Sequence, residues 1–298
     1  MHGRDRALRQ NMKLKMIFNP MAGRGRARRQ IGKARAYLRE RGADVDCVAS
    51  SSPDDLTRIA AESSRGECDR VVVCGGDGSL HFAVREFDLQ RGTLGLLPLG
   101  SGDDFARVVG IPRTVIGACD AILHGNTREV DVATANGLRY LGVAGLGFDS
   151  EVAKYANENA KFLRGSLVYL YSIFRVLPRF TPRRVRLNGM RSEEIMFACV
   201  GNTSQYGGGI RITPNARIDD GLLDLCLVHR TTRTQLLKTL PRAYTGSHVK
   251  SPFVETARAT QFTFESERPM DVYADGEPLT RTPVTFALAR DKLRIVVP

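Results

Sequence analysis

Length, composition and charge set the first limits on this chain. Its 298 residues exceed the usual size of one domain, so we expect two. A hydrophobic fraction of 42% is enough for sizeable cores, and the absence of an apolar run of about 18 residues argues against a membrane-spanning helix. The formal net charge of +12 indicates attraction to polyanions, a class that includes nucleic acid, anionic lipid and nucleotide phosphates.

Cysteine spacing and the N-terminal sequence bear on location and partners. The six cysteines show neither CxxC nor metal-ligand spacing, and the N-terminus lacks a signal-type apolar stretch. We therefore expect a cytoplasmic protein. Nucleic acid is not an expected partner, because the chain has no zinc finger, no RNA-binding signature and no basic stretch interleaved with aromatic residues.

The first half of the chain alternates strands with helices. Strand-like segments occur at 13–20, 43–50, 69–74 and 93–99, and helical segments near 24–41, 53–65, 79–88, 103–108 and 113–123. Ser52 and Pro53 supply a cap and a first-turn proline for the second helix. This alternation predicts a doubly wound, Rossmann-like α/β domain, which we assign to residues 1–127.

The second half, assigned to residues 128–298, is mainly β. Asn136-Gly137 and Asn188-Gly189 are strong hairpin signals, the first between 130–135 and 138–141 and the second between 185–187 and 195–200. Further strands are predicted at 222–228, 260–265, 270–274, 284–289 and 292–297, with helices at 151–177 and 232–244.

Three glycine-rich turns follow predicted strands of the first half, at 19–25, 75–79 and 98–107. The carboxyl ends of parallel strands share one edge of a sheet, so we expect these turns to converge on one ligand. Glycines let the backbone approach a polyphosphate, helix-start N–H groups can face its oxygens, and Asp77 suits Mg²⁺ or a hydroxyl nucleophile. Glycine turns are also common structural features of α/β folds, and a single one would carry little weight.

These motifs resemble those of the diacylglycerol kinase catalytic-domain superfamily, in particular its soluble bacterial lipid kinases. In the first half the resemblance lies in Asn19-Pro20 with Gly23, in 75–79 and in 100–107. In the second half it continues through Asn202 and the segments 206–209, 214–216, 219–224 and 275–277. Together the motifs cover nearly the entire chain.

The resemblance implies a fold and a set of site residues. ATP would lie in a cleft between the α/β domain and an antiparallel β-sandwich with inserted helices, and its γ-phosphoryl group would pass to a lipid hydroxyl. The implied nucleotide contacts are Asn19, Pro20, Gly23, Ser50, Gly75, Gly76, Asp77, Gly78, Ser79, His81, Phe82, Gly100, Ser101 and Asp104.

The same resemblance implies two magnesium sites and a catalytic base. Asp77 and Asp104 would hold the catalytic Mg²⁺, since such ions take one or two carboxylates beside phosphate ligands. Glu277 is the first choice for the general base and Asp275 the second. A structural Mg²⁺ would be held by Asp220 and by the carbonyls of Arg217 and Leu222.

Several of these residues also have plainer interpretations. Asp103 and Asp104 could serve as helix-capping acids, and Asp220-Gly221 could be an ordinary turn before a strand. His81 is interpreted as a hydrogen-bonding residue on the side of the cleft rather than as a base.

The chain departs from the pattern of the superfamily at four positions. Asp103 stands where asparagine is usual, Ser79 and Ser101 replace threonines, and Phe82 replaces a glutamate. Phe82 lies on nearly the opposite side of its helix from an apolar stripe of Leu80, Ala83, Val84 and Phe87. Its contact is left open among a lipid tail, the second domain and a partner.

The expected function is an ATP-dependent lipid kinase at the cytoplasmic membrane surface, with diacylglycerol as first acceptor. A sphingoid acceptor such as ceramide is the first alternative, because Gly100-Ser101-Gly102 and His81 match features of sphingosine kinases. NAD kinase shares only the glycine-glycine-aspartate-glycine turn. A non-catalytic nucleotide- or lipid-binding regulator is the fourth hypothesis, which the retained catalytic carboxylates oppose.

Two arginine-rich segments could meet an anionic membrane, one in the first helix from Arg24 to Arg41 and one from Arg175 to Arg191. Both could equally be solvated surfaces. The second segment follows the apolar run 167–174, and it is the preferred membrane face. The sequence leaves oligomeric state open, including a homodimer.

Overall fold

A computed structural model of the chain describes residues 11–20, 26–160, 166–190 and 192–298. Two compact units are present, one formed by the chain up to Val130 together with Asp291–Pro298, the other by Asp131–Arg290.

The strands are β1 (Lys13–Phe18), β2 (Asp44–Ala49), β3 (Arg70–Gly75), β4 (Thr93–Pro98), β5 (Asn126–Val130), β6 (Ala133–Ala135), β7 (Leu138–Tyr140), β8 (Val143–Gly147), β9 (Arg183–Leu187), β10 (Glu193–Gly201), β11 (Leu223–His229), β12 (Val254–Ala259), β13 (Gln261–Ser266), β14 (Asp271–Ala274), β15 (Glu277–Arg281), β16 (Val284–Leu288) and β17 (Leu293–Val297). The helices are α1 (Arg26–Glu40), α2 (Pro53–Arg65), α3 (Asp77–Val84), α4 (Asp104–Val108), α5 (Val115–His124), α6 (Phe148–Asn159), α7 (Ser166–Val176) and α8 (Arg233–Thr245), with a short 3₁₀ turn at Ser247–Lys250.

The first unit is an α/β domain, as the sequence predicts. Its sheet has the order β2-β1-β3-β4-β17-β5, in which β1 to β4 run parallel. The Ser52 hydroxyl accepts the N–H of Asp55 and caps α2 at the predicted residue. The predicted apolar stripe of α3 and the residues after it is buried as a whole, at Leu80, Ala83, Val84 and Phe87.

The boundary between the units differs from the predicted one at 127/128. β17 runs parallel to β4 and antiparallel to β5, with Leu293 opposite Val130, so the last strand returns to the first unit. This pairing joins segments that are far apart in sequence. A strand pattern reports which residues are extended, but it does not identify the partner strand.

The second unit is an antiparallel β-sandwich, which confirms the fold class. The hairpin turns at 136–137 and 188–189 have φ values of 51° and 82°, and of 49° and 73°, as two-residue turns of this type require. β10 pairs with β11 along one edge and with β9 and β8 along the other.

Strands β8, β10 and β11 are buried on both faces. In β11, Leu223, Leu225 and Leu227 point into the core of the sandwich, whereas Cys226 and Val228 point into a second core with residues of α6, α7 and α8. Because successive side chains of a strand alternate between faces, a strand covered on both sides reads as a continuous apolar run. The helices of this unit therefore pack against the outer face of the sheet.

The elements of this unit also correct the predictions in detail. The single helix predicted at 151–177 is two helices, α6 and α7, and residues 161–165 between them lie outside the described part. Strands β5, β8, β12 and β15 were not predicted. Within the described residues, no helix combines the length and the apolar character that a bilayer span requires.

Candidate active site

The parallel strands of the first unit end together at one edge of the sheet. Phe18 pairs with both Ala49 and Cys74, and Gly75 pairs with Pro98. Hydrogen bonds also join the residues that follow these strands. The Ser50 N–H donates to the Phe18 carbonyl over 2.9 Å, and the Leu99 N–H donates to the Gly75 carbonyl over 3.0 Å. Asn19, Pro20, Ser50, the 75–79 turn and the 98–104 turn thus share one edge. Gly23 lies outside the described residues.

The second and third glycine turns approach each other closely. A Cβ atom at Gly100 would lie 2.6 Å from the Cα atom of Gly76 and 2.5 Å from Oδ1 of Asp103. A Cβ atom at Gly75 would collide with the Ser79 hydroxyl. Neither Gly76 nor Gly100 has a positive φ, so it is the close packing of the two backbones that requires glycine. This packing brings the start of α3 next to the third turn.

We expect Gly100→Ala to lower the free energy of unfolding by about 1–3 kcal/mol, because the added methyl group must displace the Gly76 backbone. The matched control is Gly32→Ala in α1, where a Cβ atom would meet nothing within 4 Å. This control should stabilise the chain slightly, since alanine is the better helix former. Urea unfolding of both variants checks the pair, and equal stability of the two would contradict the described packing.

Asp77 links the starts of α3 and α4. Its carboxylate accepts the N–H groups of Asp104 and Phe105, each over 3.1 Å. The pKa of the Asp77 carboxyl is raised to about 6, mainly by burial and also by the nearby charges of Asp104 and Asp103, while the two N–H groups act in the opposite direction. A half-buried carboxylate in this position holds negative charge at the glycine edge.

Asp103 has a backbone conformation that aspartate and the usual asparagine both tolerate. Its φ of 52° and ψ of 44° are left-handed, a region that asparagine and aspartate tolerate better than most residues. Its Oδ1 atom accepts the Gly100 N–H over 2.9 Å, and its Oδ2 atom lies 3.7 Å from the Arg113 guanidinium. The side chain is buried, and burial raises its pKa. Arg113 thus offsets part of the added charge.

Asp104 is the first residue of α4 and is also buried. Its Oδ1 atom accepts a hydrogen bond from Arg107 over 2.7 Å, and Arg107 also donates to the Gly102 carbonyl over 2.9 Å. Asp77, Asp103 and Asp104 therefore place three carboxylates around the ends of β3 and β4. Ser101 is an exposed residue of the third turn.

His81 and Phe82 both contact Arg85 of their own unit. His81 is fully buried, so its ring has no surface toward a cleft, and its Nε2 atom lies 3.1 Å from the Arg85 guanidinium. The Arg85 guanidinium also stacks on the Phe82 ring at 4.5 Å, and the Phe82 carbonyl accepts a hydrogen bond from Thr57 over 2.8 Å. The half-buried Phe82 is therefore held by residues of its own unit.

In the second unit, Asp275 and Gly276 form a two-residue hairpin turn between β14 and β15. Their φ values are 54° and 85°, and Ala274 pairs with Glu277. The Asp275 carboxylate accepts N–H groups from three consecutive residues, Leu141 over 3.2 Å, Gly142 over 2.8 Å and Val143 over 3.2 Å. A Cβ atom at Gly142 would collide with this carboxylate.

These bonds give the two acids of the turn different positions. The oxygens of Asp275 are directed at the backbone of 141–143, whereas Glu277 starts β15 as a half-buried side chain. Asp275 is therefore suited to fixing the turn, and Glu277 is the better candidate for accepting a proton.

The predicted structural magnesium site is occupied by an ion pair. The Arg258 guanidinium bonds Asp220, and its Nε atom also donates to Asp224 over 3.2 Å. The second carboxylate oxygen of Asp220 accepts the Leu222 N–H over 3.1 Å. No group of three or more acidic, histidine or cysteine side chains suited to a metal occurs in the part of the chain that the structure describes. A cation with Arg217, Asp220 and Leu222 as ligands does not fit this arrangement.

We expect that chelation of divalent cations leaves the melting temperature of the nucleotide-free protein unchanged, because Arg258 already forms ion pairs with both Asp220 and Asp224. Arg258→Ala leaves two adjacent carboxylates without this partner, and millimolar Mg²⁺ should then raise the melting temperature. Differential scanning calorimetry with and without chelator compares the two proteins. A fall in the melting temperature of the unmodified protein on chelation would contradict this expectation and support the predicted metal site.

Comparison with known proteins agrees with this geometry. Residues 13–135 match the diacylglycerol kinase catalytic domain, and residues 142–297 match the YegS C-terminal NAD kinase beta sandwich-like domain. A diacylglycerol kinase of Mycobacterium tuberculosis is 34% identical over 297 residues, with 96% of this chain and 95% of the relative covered. One from Bacillus subtilis is 26% identical over 290 residues, with 95% and 96% covered.

The structural comparison gives the same result. The crystal structure of a diacylglycerol kinase from Bacillus anthracis superimposes with a TM-score of 0.79 at 26% identity, with 96% of this chain and 97% of that chain covered. Both units, their order and the glycine edge are therefore those of one family. The chain belongs to the diacylglycerol kinase catalytic-domain family and is a kinase.

Proposed function

We propose that this kinase transfers the γ-phosphoryl group of ATP to the hydroxyl of a diacylglycerol-type lipid at a membrane surface. The observation that carries the proposal is the glycine edge, where Asp77 joins the starts of two helices beside the closely packed Gly76 and Gly100. Such an edge offers backbone N–H groups to phosphate oxygens. The names of the relatives support the choice of acceptor.

Phosphoryl transfer depends mainly on positioning and on neutralisation of charge. We propose that Asn19, Ser50, Ser79 and the backbone of the two turns orient the triphosphate. Asp77 and Asp104 would hold a Mg²⁺ ion, because hard cations bound to phosphates use one or two carboxylates. The donor set fits, since the charge of Asp104 and Asp103 raises the pKa of Asp77 and a cation would relieve that repulsion. Mg²⁺ would supply charge neutralisation on the phosphates.

The acceptor hydroxyl needs a group that takes its proton. We propose Glu277 for this step and assign Asp275 to positioning, because three backbone N–H groups already bind the Asp275 carboxylate. These contacts fix the turn that carries Glu277. Asn157 stabilises the same turn, because its side-chain amide donates a hydrogen bond to the Gly276 carbonyl over 2.7 Å.

An apolar cavity in the second unit supports a lipid acceptor. It lies among α6, α7, α8 and the outer face of the sheet, and its lining includes Val152, Ile173, Phe197 and Leu240. Its polar lining residues include Asp149, which accepts a hydrogen bond from Tyr206 and whose pKa burial raises to about 6. Apolar walls with few polar groups are typical of ligand pockets. The volume of this cavity is about 80 Å³, so an acyl chain would enter it only if the surrounding helices moved apart.

The function is tested by phosphoryl transfer from labelled ATP to a panel of diacylglycerol, monoacylglycerol, ceramide, sphingosine, phosphatidylglycerol and NAD. We expect the main product from diacylglycerol, and no product from Asp77→Asn assayed in parallel. If only a sphingoid lipid or only NAD became labelled, that compound would replace diacylglycerol as the proposed acceptor. Absence of every product, with ATP binding retained, would favour a non-catalytic regulator.

We also propose that the kinase binds anionic membranes peripherally through α7 and the arginines that follow. Leu167, Leu170 and Phe174 are exposed by 59%, 38% and 55% on one side of α7, next to the exposed Arg175 and Arg179. Apolar side chains flanked by arginines are typical of interfacial helices. Arg24 and Arg191 of the predicted basic segments lie outside the described residues.

We expect binding to anionic liposomes that weakens with added salt, because exposed charges act over a Debye length of about 8 Å at physiological ionic strength. Charge reversal at Arg183 and Arg184 should weaken sedimentation with liposomes more than reversal at Arg28 and Arg29. Equal binding to neutral and anionic liposomes at every salt concentration would contradict the proposed membrane face.

A further inference from the structure

The second unit contains another cavity, of about 610 Å³, on the other side of α6. Gly147, Ser150, Glu151, Lys154, Tyr155 and Glu158 face it at helical spacing, whereas Phe148, Asp149 and Val152 face the apolar cavity. The helix therefore separates the two. The volume lies within the range of roughly 300–1,000 Å³ that small-molecule sites occupy.

The lining of this cavity is strongly basic. Three acidic side chains, Glu151, Glu158 and Asp271, are outnumbered by six cations, which are Lys154, Arg175, Arg179, Arg183, Arg268 and Arg281. Asp271 is shared by Lys154 over 3.2 Å and Arg281 over 2.7 Å. Glu151 pairs with Arg183 over 3.1 Å.

Three arginines of the cavity have no acidic partner among the described residues. Arg179 and Arg268 have no ion pair there, and Arg175 donates to a neutral group, the Tyr155 hydroxyl, over 3.2 Å. This bond lowers the pKa of the Tyr155 phenol, and the charge of Arg179 acts in the same direction. Both effects come from the positive charges of the cavity lining.

We infer that this basic cavity binds a phosphate monoester. Guanidinium groups present paired donors that match phosphate oxygens, and three of them converge here without a carboxylate. The excess of three positive charges among the lining side chains favours a dianion over the single charge of a phosphodiester. The ligand is a free phosphate ester or the monoester headgroup of a lipid, the same chemistry from two sources.

The experiment measures binding by calorimetry, which does not depend on the proposed function because no turnover is read. Mg²⁺ and a saturating non-hydrolysable ATP analogue are present throughout, so that phosphate does not report on the glycine edge and phosphatidic acid, the product of the proposed reaction, is not turned over. The probes are inorganic phosphate, glycerol 3-phosphate, dihexanoyl phosphatidic acid and the diester dihexanoyl phosphatidylglycerol. Binding of glycerol 3-phosphate points to a free ester, and a clear preference for phosphatidic acid points to a lipid headgroup.

The variant is Arg179→Ser with Arg268→Ser, and the matched control is Arg65→Ser with Arg290→Ser, two exposed arginines outside the cavity. We expect at least about a tenfold loss of monoester affinity in the variant and none in the control, because charge-assisted hydrogen bonds are removed only in the former. Equal losses in both, equal affinity for the diester, or no monoester binding by the unmodified protein would each overturn the site.

A second readout locates the ligand. The chain has no tryptophan, so ionisation of its tyrosines can be followed by near-ultraviolet absorbance. A bound dianion should move the pKa of Tyr155 back toward its ordinary value, because it opposes the field of Arg175 and Arg179. The effect of the monoester should vanish in Tyr155→Phe. An unchanged effect in that variant would place the phosphate elsewhere and overturn the proposal.

Discussion

Replacing Asp77 by asparagine is expected to lower the rate of phosphoryl transfer at least ~10²-fold, the scale of a lost acid–base or metal-binding group. Asparagine keeps the size of the side chain but removes the charge that we propose binds Mg²⁺. One oxygen also remains to accept an N–H group from Asp104 or Phe105, the two donors of the present contact. The loss should therefore appear in turnover, measured with labelled ATP, and not in the fold.

The pH dependence of stability gives a separate check on this variant. Folding raises the pKa of Asp77 from the ordinary aspartate value of 3.8 to about 6, so the folded chain takes up a proton here between those values. Stability from this group is greatest at low pH and falls as pH rises through about 6, where ionised Asp77 opposes folding. Asp77→Asn removes that effect. Its melting temperature relative to the unmodified protein should rise between pH 4 and pH 7.

Asp103→Asn is the matched control, since it also removes one charge from a buried carboxylate beside the same turns. It keeps a residue that tolerates the left-handed backbone, so folding should be retained. ATP affinity should stay equal or increase, most clearly at low Mg²⁺, because repulsion of the phosphates decreases. If both variants lost activity to the same degree, or Asp77→Asn turned over normally, the proposed site would be wrong.

The glycine edge could be predicted from the sequence because its signals are local. Each turn follows a short apolar strand, and parallel strands bring their carboxyl ends to one edge whatever their order. The contact of Gly76 with Gly100 is a consequence of that rule. The roles of Asp77 and Asp104 came from resemblance and stay proposals, although the structure places both carboxylates at the predicted edge.

Features that depend on distant partners could not be predicted. β17 pairs with β4 and β5, and nothing in the sequence of residues 293–297 identifies those strands as its partners. Arg258 lies opposite Asp224 in the β11–β12 ladder, and it bonds Asp220 only because that pairing exists. β12 itself was missed, as its exposed polar residues interrupt the apolar pattern. The burial of His81 follows from packing around α3, and its helical position alone does not reveal it.

One missed signal was present in the sequence. Asp275-Gly276 is an Asp-Gly pair, which favours a two-residue hairpin as strongly as the Asn-Gly pairs of the same unit. Because the segment was interpreted only as a catalytic motif, strand β15 was not predicted. The turn and the chemistry depend on the same residues, since the left-handed Asp275 directs its carboxylate to the N–H groups of 141–143.

Because the segment forms both the turn and the proposed base, Glu277→Gln and Asp275→Asn are expected to lose different properties. The first should lose turnover, and the second should lose stability. Glu277→Gln should lower kcat at least ~10²-fold with little change in the melting temperature, because glutamine keeps the size of the side chain and removes the charge that we propose accepts the proton. Asp275→Asn replaces a charged acceptor of three N–H groups, so the free energy of unfolding should fall by about 1–3 kcal/mol.

Activity of the Asp275→Asn variant separates positioning from proton transfer. If Asp275 only fixes the turn, its variant keeps a rising pH–rate profile with the same apparent pKa as the unmodified kinase, at a reduced rate. Glu277→Gln should lose that rise, because the titrating base is gone. The reverse pattern, a lost pH dependence in Asp275→Asn and a retained one in Glu277→Gln, would make Asp275 the base. The hydrogen bonds to Leu141, Gly142 and Val143 would then have to open before the hydroxyl is deprotonated.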